Sequence, residues 1–135
     1  MDIRDSLEHI LQNKDIFGTK FYELFFGRCP EARQYFAATD LFSQELQLTM
    51  ALTVMERFRA KRYPAMAAYL KYLGHKHHRR DIPTELYPKF GDALLTTLEQ
   101  FHGADWSETL AGEWRDAIEC TTQVMLTGYQ APVYV

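Results

Sequence analysis

The chain has 135 residues, of which 47% are hydrophobic, and a formal net charge of −3. This length suits a single domain with its own core, and this hydrophobic content argues against disorder. The negative charge balance gives no electrostatic reason to expect nucleic acid as a partner. Aromatic residues make up 14% of the chain, more than so small a core needs, which favours a bulky flat ligand.

The cysteines and the apolar runs set further limits. Cys29 and Cys120 are isolated, so they form neither a disulfide framework nor a CxxC pattern. The first residues lack the apolar run of a secretory signal, and no stretch approaches the ~20 apolar residues of a membrane span. We therefore expect a cytoplasmic protein with no membrane partner.

Helical periodicity dominates the first third of the chain, and no run alternates as a strand does. The pattern predicts a first helix over Ile3–Gln12, a second that stops at Gly27, and a short helical turn from Pro30 to near Phe36. The residues expected to face the core from the first two helices are Leu7, Ile10, Leu11, Ile16, Phe17, Phe21, Leu24 and Phe25.

The following helices carry start signals. Either Thr39 or Asp40 is expected to cap a third long helix that continues through Phe58. Pro64 opens the fourth helix, and Thr84 is expected to cap the fifth. Each of these residue types satisfies or tolerates the unpaired backbone groups at a helix start.

The last helix follows a segment that resembles a capping box, from Asp105 to Glu108. The tail from Gly128 to Val135 fits either a frayed end or a link to a further segment. Together the elements predict a single all-α domain over residues 1–135, with about seven to eight helices packed irregularly.

One histidine in the fourth helix stands out. Met66, Leu70, Leu73 and His77 follow steps of four, three and four, so they share one helical face. An inward imidazole among apolar neighbours needs a hydrogen-bonding group or a metal as its partner. Taken alone, such a histidine is more often a satisfied core residue than a metal ligand.

His75 and His78 raise the question of a zinc site shared with His77. On a regular helix His75 lies about 200° from His77, so the two cannot hold one ion. Surface histidines are the better interpretation of this cluster.

Several segments of the chain, taken in their order, resemble the globin family, in particular the single-domain globins of bacteria. The match covers nearly the whole chain, and its strongest stretch runs from Leu73 to His77. The resemblance implies a globin-like fold around a haem b group, iron protoporphyrin IX. The other matching segments are Phe21 to Phe26, Cys29-Pro30-Glu31, Tyr35-Phe36, Tyr87-Pro88, Gly91 to Leu95, and Trp114.

The resemblance implies roles on the proximal side of the haem. His77 would be the ligand of the haem iron, and its second ring nitrogen would donate to the carbonyl of Leu70 or Leu73. Tyr87 would lie near this histidine. Similar globins often add a glutamate from the last helix that strengthens the histidine as a donor, but Tyr129 occupies the matching position here.

Further roles follow on the porphyrin and on the gas-binding side. Phe36 would wedge against the porphyrin, and Tyr22 would point toward the gas ligand. Leu73, Tyr87 and Phe90 complete the expected haem contacts. A Tyr22 hydroxyl together with a glutamine amide near a gas ligand predicts tight oxygen binding and slow release, because bound oxygen carries partial negative charge.

The distal residue of the third helix has three candidates, Gln47, Gln44 and Leu46. We prefer Gln47, because the register with Gln44 inward turns Glu45 and Glu56 toward the core, where carboxylates are costly to bury without partners. If Leu46 faces the iron, the distal pocket is more apolar.

Several functions fit a haem globin. The first is reversible binding of oxygen, nitric oxide or carbon monoxide, for transport or storage. The second is enzymatic, as a nitric oxide dioxygenase or peroxidase that takes electrons from a separate reductase. A gas-sensing module and a haem-free domain of globin shape remain as alternatives. The sequence leaves the choice between carrier and enzyme open, as well as the oligomeric state.

Overall fold

A computed structural model describes residues 1–130, and this part of the chain is all-α, as predicted. It contains six α-helices joined by short connections, and three 3₁₀ helices. None of the helices in residues 1–130 combines the length and apolarity needed to cross a membrane. The α-helices are α1 (Ile3–Gln12), α2 (Lys14–Arg28), α3 (Leu41–Ala60), α4 (Pro64–Arg79), α5 (Leu86–His102) and α6 (Glu108–Thr127); the 3₁₀ helices cover Pro30–Phe36, Gly103–Asp105 and Gly128–Gln130.

Side-chain caps define three of the helix starts. Asp2 and Asp5 form a reciprocal capping box at α1, which the sequence analysis did not identify. Asp40 rather than Thr39 caps α3, with its carboxylate accepting a 2.7 Å hydrogen bond from the Ser43 amide. These caps satisfy amides that have no partner within the helix.

Two predicted caps are wrong. α5 begins at Leu86, and its N-cap residue Glu85 makes no side-chain hydrogen bond to the helix. Thr84 does not cap α5, because it lies in the turn that precedes the helix. The segment from Asp105 to Glu108 is not a capping box. Ser107 is the N-cap of α6, and its hydroxyl accepts a hydrogen bond from an amide three residues later.

The main core lies where α2, α5 and α6 meet, and Phe17, Leu98 and Trp114 are fully buried in it. The inward assignment of Leu11 and Ile16 is wrong, because these side chains are 41% and 51% exposed. Each lies about 100° around its helix from a buried neighbour, Ile10 or Phe17, on the side turned away from the core.

A very close backbone approach fixes α4 against α6. A Cβ added at Gly74 would overlap the carbonyl group of Met125, and one added at Gly128 would overlap the carbonyl oxygen of Lys71. Only glycine permits backbones to meet at this distance. The contact sets the distance at which α4 packs on α6, and it places Tyr129 beside the C-terminal end of α4.

The segment from Gly128 was predicted to be a frayed end or a link. Its first three residues, Gly128–Gln130, form a 3₁₀ helix packed on α4. Residues 131–135 lie outside the part of the chain that the structure describes.

Candidate haem site

The end of α4 and the start of α5 bring His77 and Tyr87 together. The His77 Nδ1 atom lies 2.7 Å from the Tyr87 hydroxyl oxygen. The expected bond to a carbonyl of Leu70 or Leu73 is therefore replaced by a side-chain partner.

This contact determines which ring nitrogen of His77 can bind a metal. Within residues 1–130 the Nε2 atom makes no hydrogen bond. When Nδ1 carries the ring proton and donates it to Tyr87, the lone pair of Nε2 is free to coordinate a metal.

Burial also favours the ligand form of His77. It lowers the pKa of the imidazole below its ordinary value, and the nearby charges of Arg80 and Lys76 lower the pKa further. A lowered pKa keeps the ring neutral at neutral pH. Neutral imidazole is the form that coordinates metals.

Tyr129 lies beside Tyr87. The two rings lie 5.8 Å apart, edge to face, and the Tyr129 hydroxyl donates a 2.8 Å hydrogen bond to the Ile82 carbonyl. Burial and the adjacent Tyr129 hydroxyl raise the pKa of Tyr87, so both phenols stay protonated. The Tyr129 hydroxyl therefore binds a neutral carbonyl rather than a carboxylate.

On the other side of the candidate site, α2 and α3 bring Tyr22 and Gln44 together. Tyr22 is buried, and its hydroxyl donates a 2.9 Å hydrogen bond to the Gln44 backbone carbonyl. Burial, aided by the Glu45 charge, raises the pKa of Tyr22 and keeps its proton in place. The Tyr22 ring also lies edge-on to Phe36 at 5.6 Å.

The Gln44 side chain is likewise engaged by the backbone. Its amide nitrogen lies 3.3 Å from the Phe36 carbonyl oxygen and 3.2 Å from that of Thr39. The structure thus gathers Tyr22, Phe36 and Gln44, and each hydrogen-bond donor of this group is paired with a carbonyl.

The choice among Gln47, Gln44 and Leu46 as the distal residue stays a prediction, although the structure buries one of the three more than the others. Gln47 is exposed and Leu46 is 48% exposed, whereas Gln44 is half-buried. A direct role for Gln44 on a gas ligand stays a prediction.

Both carboxylates that the Gln44 register turns inward have tolerable surroundings in the structure. Glu45 is half-buried over Gly18, where the missing side chain leaves room for it. Glu56 is buried, yet one of its oxygens lies 3.7 Å from Arg57 Nε at the surface. Partners of this kind remove much of the cost of burying a carboxylate.

The structure places the remaining expected haem contacts apart from one another. Phe90 packs edge-on to Phe21 and Phe25 of α2, with ring centres 4.9 and 5.4 Å away. Leu73 belongs to a smaller apolar cluster centred on Phe58 and Leu70. The haem contacts of Phe90 and Leu73 stay predictions.

Sequence reasoning missed the tie between the end of α4 and the first 3₁₀ helix. Arg80 donates a 2.9 Å hydrogen bond to the Tyr35 carbonyl, and Asp81 adopts a left-handed φ of 57° that ends α4. Aspartate tolerates this conformation better than most residues, so its place after a cationic helix end was a usable signal.

The candidate site passes a chemical test for haem. It offers a neutral imidazole with one unpaired nitrogen, beside aromatic and aliphatic side chains of the kind that haem buries. The structure also has two surface cavities, of about 490 and 320 Å³, and Tyr87 lines the smaller one. Neither is lined by His77, Tyr22 or Phe36.

Comparisons with known proteins agree with this architecture. The family model described as Globin matches residues 19–125. Flavohemoproteins of Bacillus thuringiensis subsp. konkukian and of Bacillus anthracis are each 30% identical over 122 residues, which cover 87% of this chain. The chain spans 29% of the length of these relatives.

A solved structure is also similar. It is a Pseudomonas aeruginosa PAO1 protein described as structurally highly homologous to a human hemoglobin, with a TM-score of 0.74 and 26% identity. The match covers 92% of this chain and 98% of that one. Helix order, the family model and this structural match lead to one conclusion: the chain belongs to the globin family.

Proposed function

We propose that this globin holds haem b and through it reversibly binds oxygen, or another diatomic gas such as nitric oxide or carbon monoxide, for transport or storage. The observation that carries the proposal is the state of His77. Its Nδ1 atom is held by Tyr87 and its Nε2 atom is unpaired, in the helix that the family resemblance assigns to the haem ligand.

His77 would hold the haem through Nε2, and Phe36, Leu73 and Phe90 would contact the porphyrin. Haem, when bound, supplies an iron atom with an open coordination position for a gas molecule. The Tyr87 hydroxyl would fix the ring orientation of His77 and keep the proton on Nδ1.

Tyr22 and Gln44 would act on the gas ligand as hydrogen-bond donors. Both donors now bind backbone carbonyls, so each would have to exchange that partner for the gas. Donors of this kind favour a ligand that carries partial negative charge, which supports oxygen as the ligand.

Optical spectra of the haem-reconstituted protein test the proposal. The ferrous, ferric and oxygen-exposed forms should show distinct Soret bands, and oxygen binding should reverse under vacuum. His77→Ala should abolish stable haem uptake. His78→Ala, one residue away and exposed, should not. A wild type that stays colourless, or a His77→Ala variant that binds oxygen normally, would contradict the proposal.

The similarity to flavohemoproteins favours a second candidate, nitric oxide dioxygenation or peroxidase activity with electrons from a separate reductase. The name of these relatives pairs a flavin with haem. The neutral Tyr129 hydroxyl favours the carrier, because no carboxylate stands at this position to strengthen the histidine donor. Nitric oxide consumption under oxygen, measured with a generic reductase, distinguishes the two functions.

A further inference from the structure

The positive charge of this acidic chain is concentrated around α4. Residues 57–80 contain eight Lys or Arg residues and no Asp or Glu, whereas the remaining residues contain seven and eighteen. The segment therefore carries a formal charge of +8 and the rest of the chain −11. Such a separation creates a local field that attracts negatively charged partners to one part of the molecule.

Part of this charge is used within the molecule. Arg59 pairs with Asp116 at 3.1 Å and approaches Glu113 at 3.7 Å, and Arg57 lies 3.7 Å from Glu56. These arginines support the fold and leave little charge for a partner.

Four residues on the outer side of α4 have no such internal role. Tyr69, Tyr72, Lys76 and Arg79 follow steps of three, four and three, so they share one helical face, which we call the basic tyrosine face. Tyr69 and Tyr72 are 51% and 57% exposed. Within residues 1–130 none of the four side chains makes a hydrogen bond or ion pair, although the Lys76 ammonium lies 5.6 Å from the centre of the Tyr72 ring.

We propose that the basic tyrosine face docks an acidic, one-electron donor protein of the iron–sulfur class. Exposed tyrosines next to cations are typical of binding surfaces, since the rings supply contact area and the charges set orientation. The face lies on the helix that carries His77, and Lys76 directly precedes that residue.

The inference rests on the proposed function, because an oxygen-binding haem that has been oxidised must be returned to the ferrous state. The step is a one-electron transfer. The donor cluster is oxidised by one electron, the haem iron goes from ferric to ferrous, and no bond or proton has to move. The donor's carboxylates would pair with Lys76 and Arg79.

A protein fits this face better than nucleic acid does. Tight binding of nucleic acid requires many phosphate contacts along an extended track, and only two unpaired cations lie on this face. The −11 charge of the rest of the chain would also repel a long polyanion. A compact acidic patch on a partner protein would contact the two cations without reaching the acidic remainder of the chain.

Stopped-flow reduction of the ferric, haem-loaded protein tests the proposal. The donor is a reduced plant-type [2Fe–2S] ferredoxin, with carbon monoxide present to report the ferrous form. Lys76→Glu/Arg79→Glu should lower the second-order rate at least tenfold at low salt, and high salt should remove most of the difference. Dithionite, a small reductant, should reduce both proteins at the same rate.

The matched control is Lys14→Glu/Lys20→Glu, which makes the same charge change at exposed positions of α2. It should change the ferredoxin rate by less than twofold. Equal slowing of both variants, or no slowing of the α4 variant, would overturn the proposal. So would salt-stable binding to duplex DNA that the α4 variant alone loses. Failure to take up haem would instead overturn the proposed function.

Discussion

Two histidines, His77 and His102, have similar local environments, but only His77 is a candidate metal ligand. Each lies near the end of a helix, each has a ring nitrogen within hydrogen-bond distance of a hydroxyl, and burial lowers the pKa of both. A buried histidine with a hydroxyl partner is therefore not by itself a sign of a metal ligand. The difference lies in the nitrogen that each pairing leaves free.

His102 uses its outer nitrogen for structure. Its Nε2 atom lies 2.6 Å from the Ser6 hydroxyl, which accepts a 2.9 Å hydrogen bond from the Trp114 indole, and its ring stacks on Trp106. The remaining Nδ1 atom is buried without a partner and lies close to the helix backbone. His77 uses Nδ1 instead, so the nitrogen farthest from its backbone is available.

The largest contrast is expected from removing each ring. His77→Gly should weaken haem binding by at least about 100-fold, because the metal loses its protein ligand. Added imidazole should restore much of the Soret band. His102→Gly should keep haem and show no response to imidazole, while urea unfolding should reveal a loss of stability. Loss of haem from the His102 variant alone would contradict the roles proposed for both histidines.

A smaller effect is expected from Tyr22→Phe on the gas-binding side. Losing one hydrogen bond to a partly charged ligand corresponds to roughly 1.5–3 kcal/mol, or about 10- to 100-fold faster oxygen release. Flash photolysis or stopped-flow measurement of oxygen dissociation checks this. Tyr69→Phe removes an exposed hydroxyl and should leave the rate unchanged. An unchanged rate for Tyr22→Phe would rule out its distal role.

The two glutamine registers should give a few-fold difference. Gln44→Leu should accelerate oxygen release by about 2- to 10-fold, as expected for one neutral hydrogen bond. Gln47→Leu should have no effect, because Gln47 is exposed. The opposite order, measured by the same dissociation assay, would favour the register with Gln47 facing the gas ligand.

The smallest effect concerns pH. Because the pKa of folded His102 is below that of the unfolded chain, acid favours protonation of the unfolded state. Its contribution to stability is complete above about pH 6.5 and declines as the pH falls from there toward the folded pKa. Urea unfolding of the haem-loaded protein should show this loss between pH 7.5 and 5.5, and His102→Gln should reduce it. Equal pH dependence of both proteins would exclude His102 as its source.

Local features of the fold were predictable, and long-range ones were not. The bounds of α1 and the cap at Asp40 follow from patterns within a few residues. The family resemblance placed Tyr87 near His77, but the hydroxyl contact depends on how α4 and α5 cross. The preference for Gln47 over Gln44 depends on the cost of burying Glu45 and Glu56, and the surroundings that lower this cost come from the folded structure.

The meeting of Gly74 with Met125 and of Gly128 with Lys71 has a mechanical consequence. A side chain packed between two helices lets one helix shift relative to the other, since the side chain can change rotamer. At this crossing the two main chains are in direct contact, so we expect α4 and the C-terminal end of α6 to move as one rigid unit. Any displacement of His77 along α4 should therefore be passed on to Tyr129.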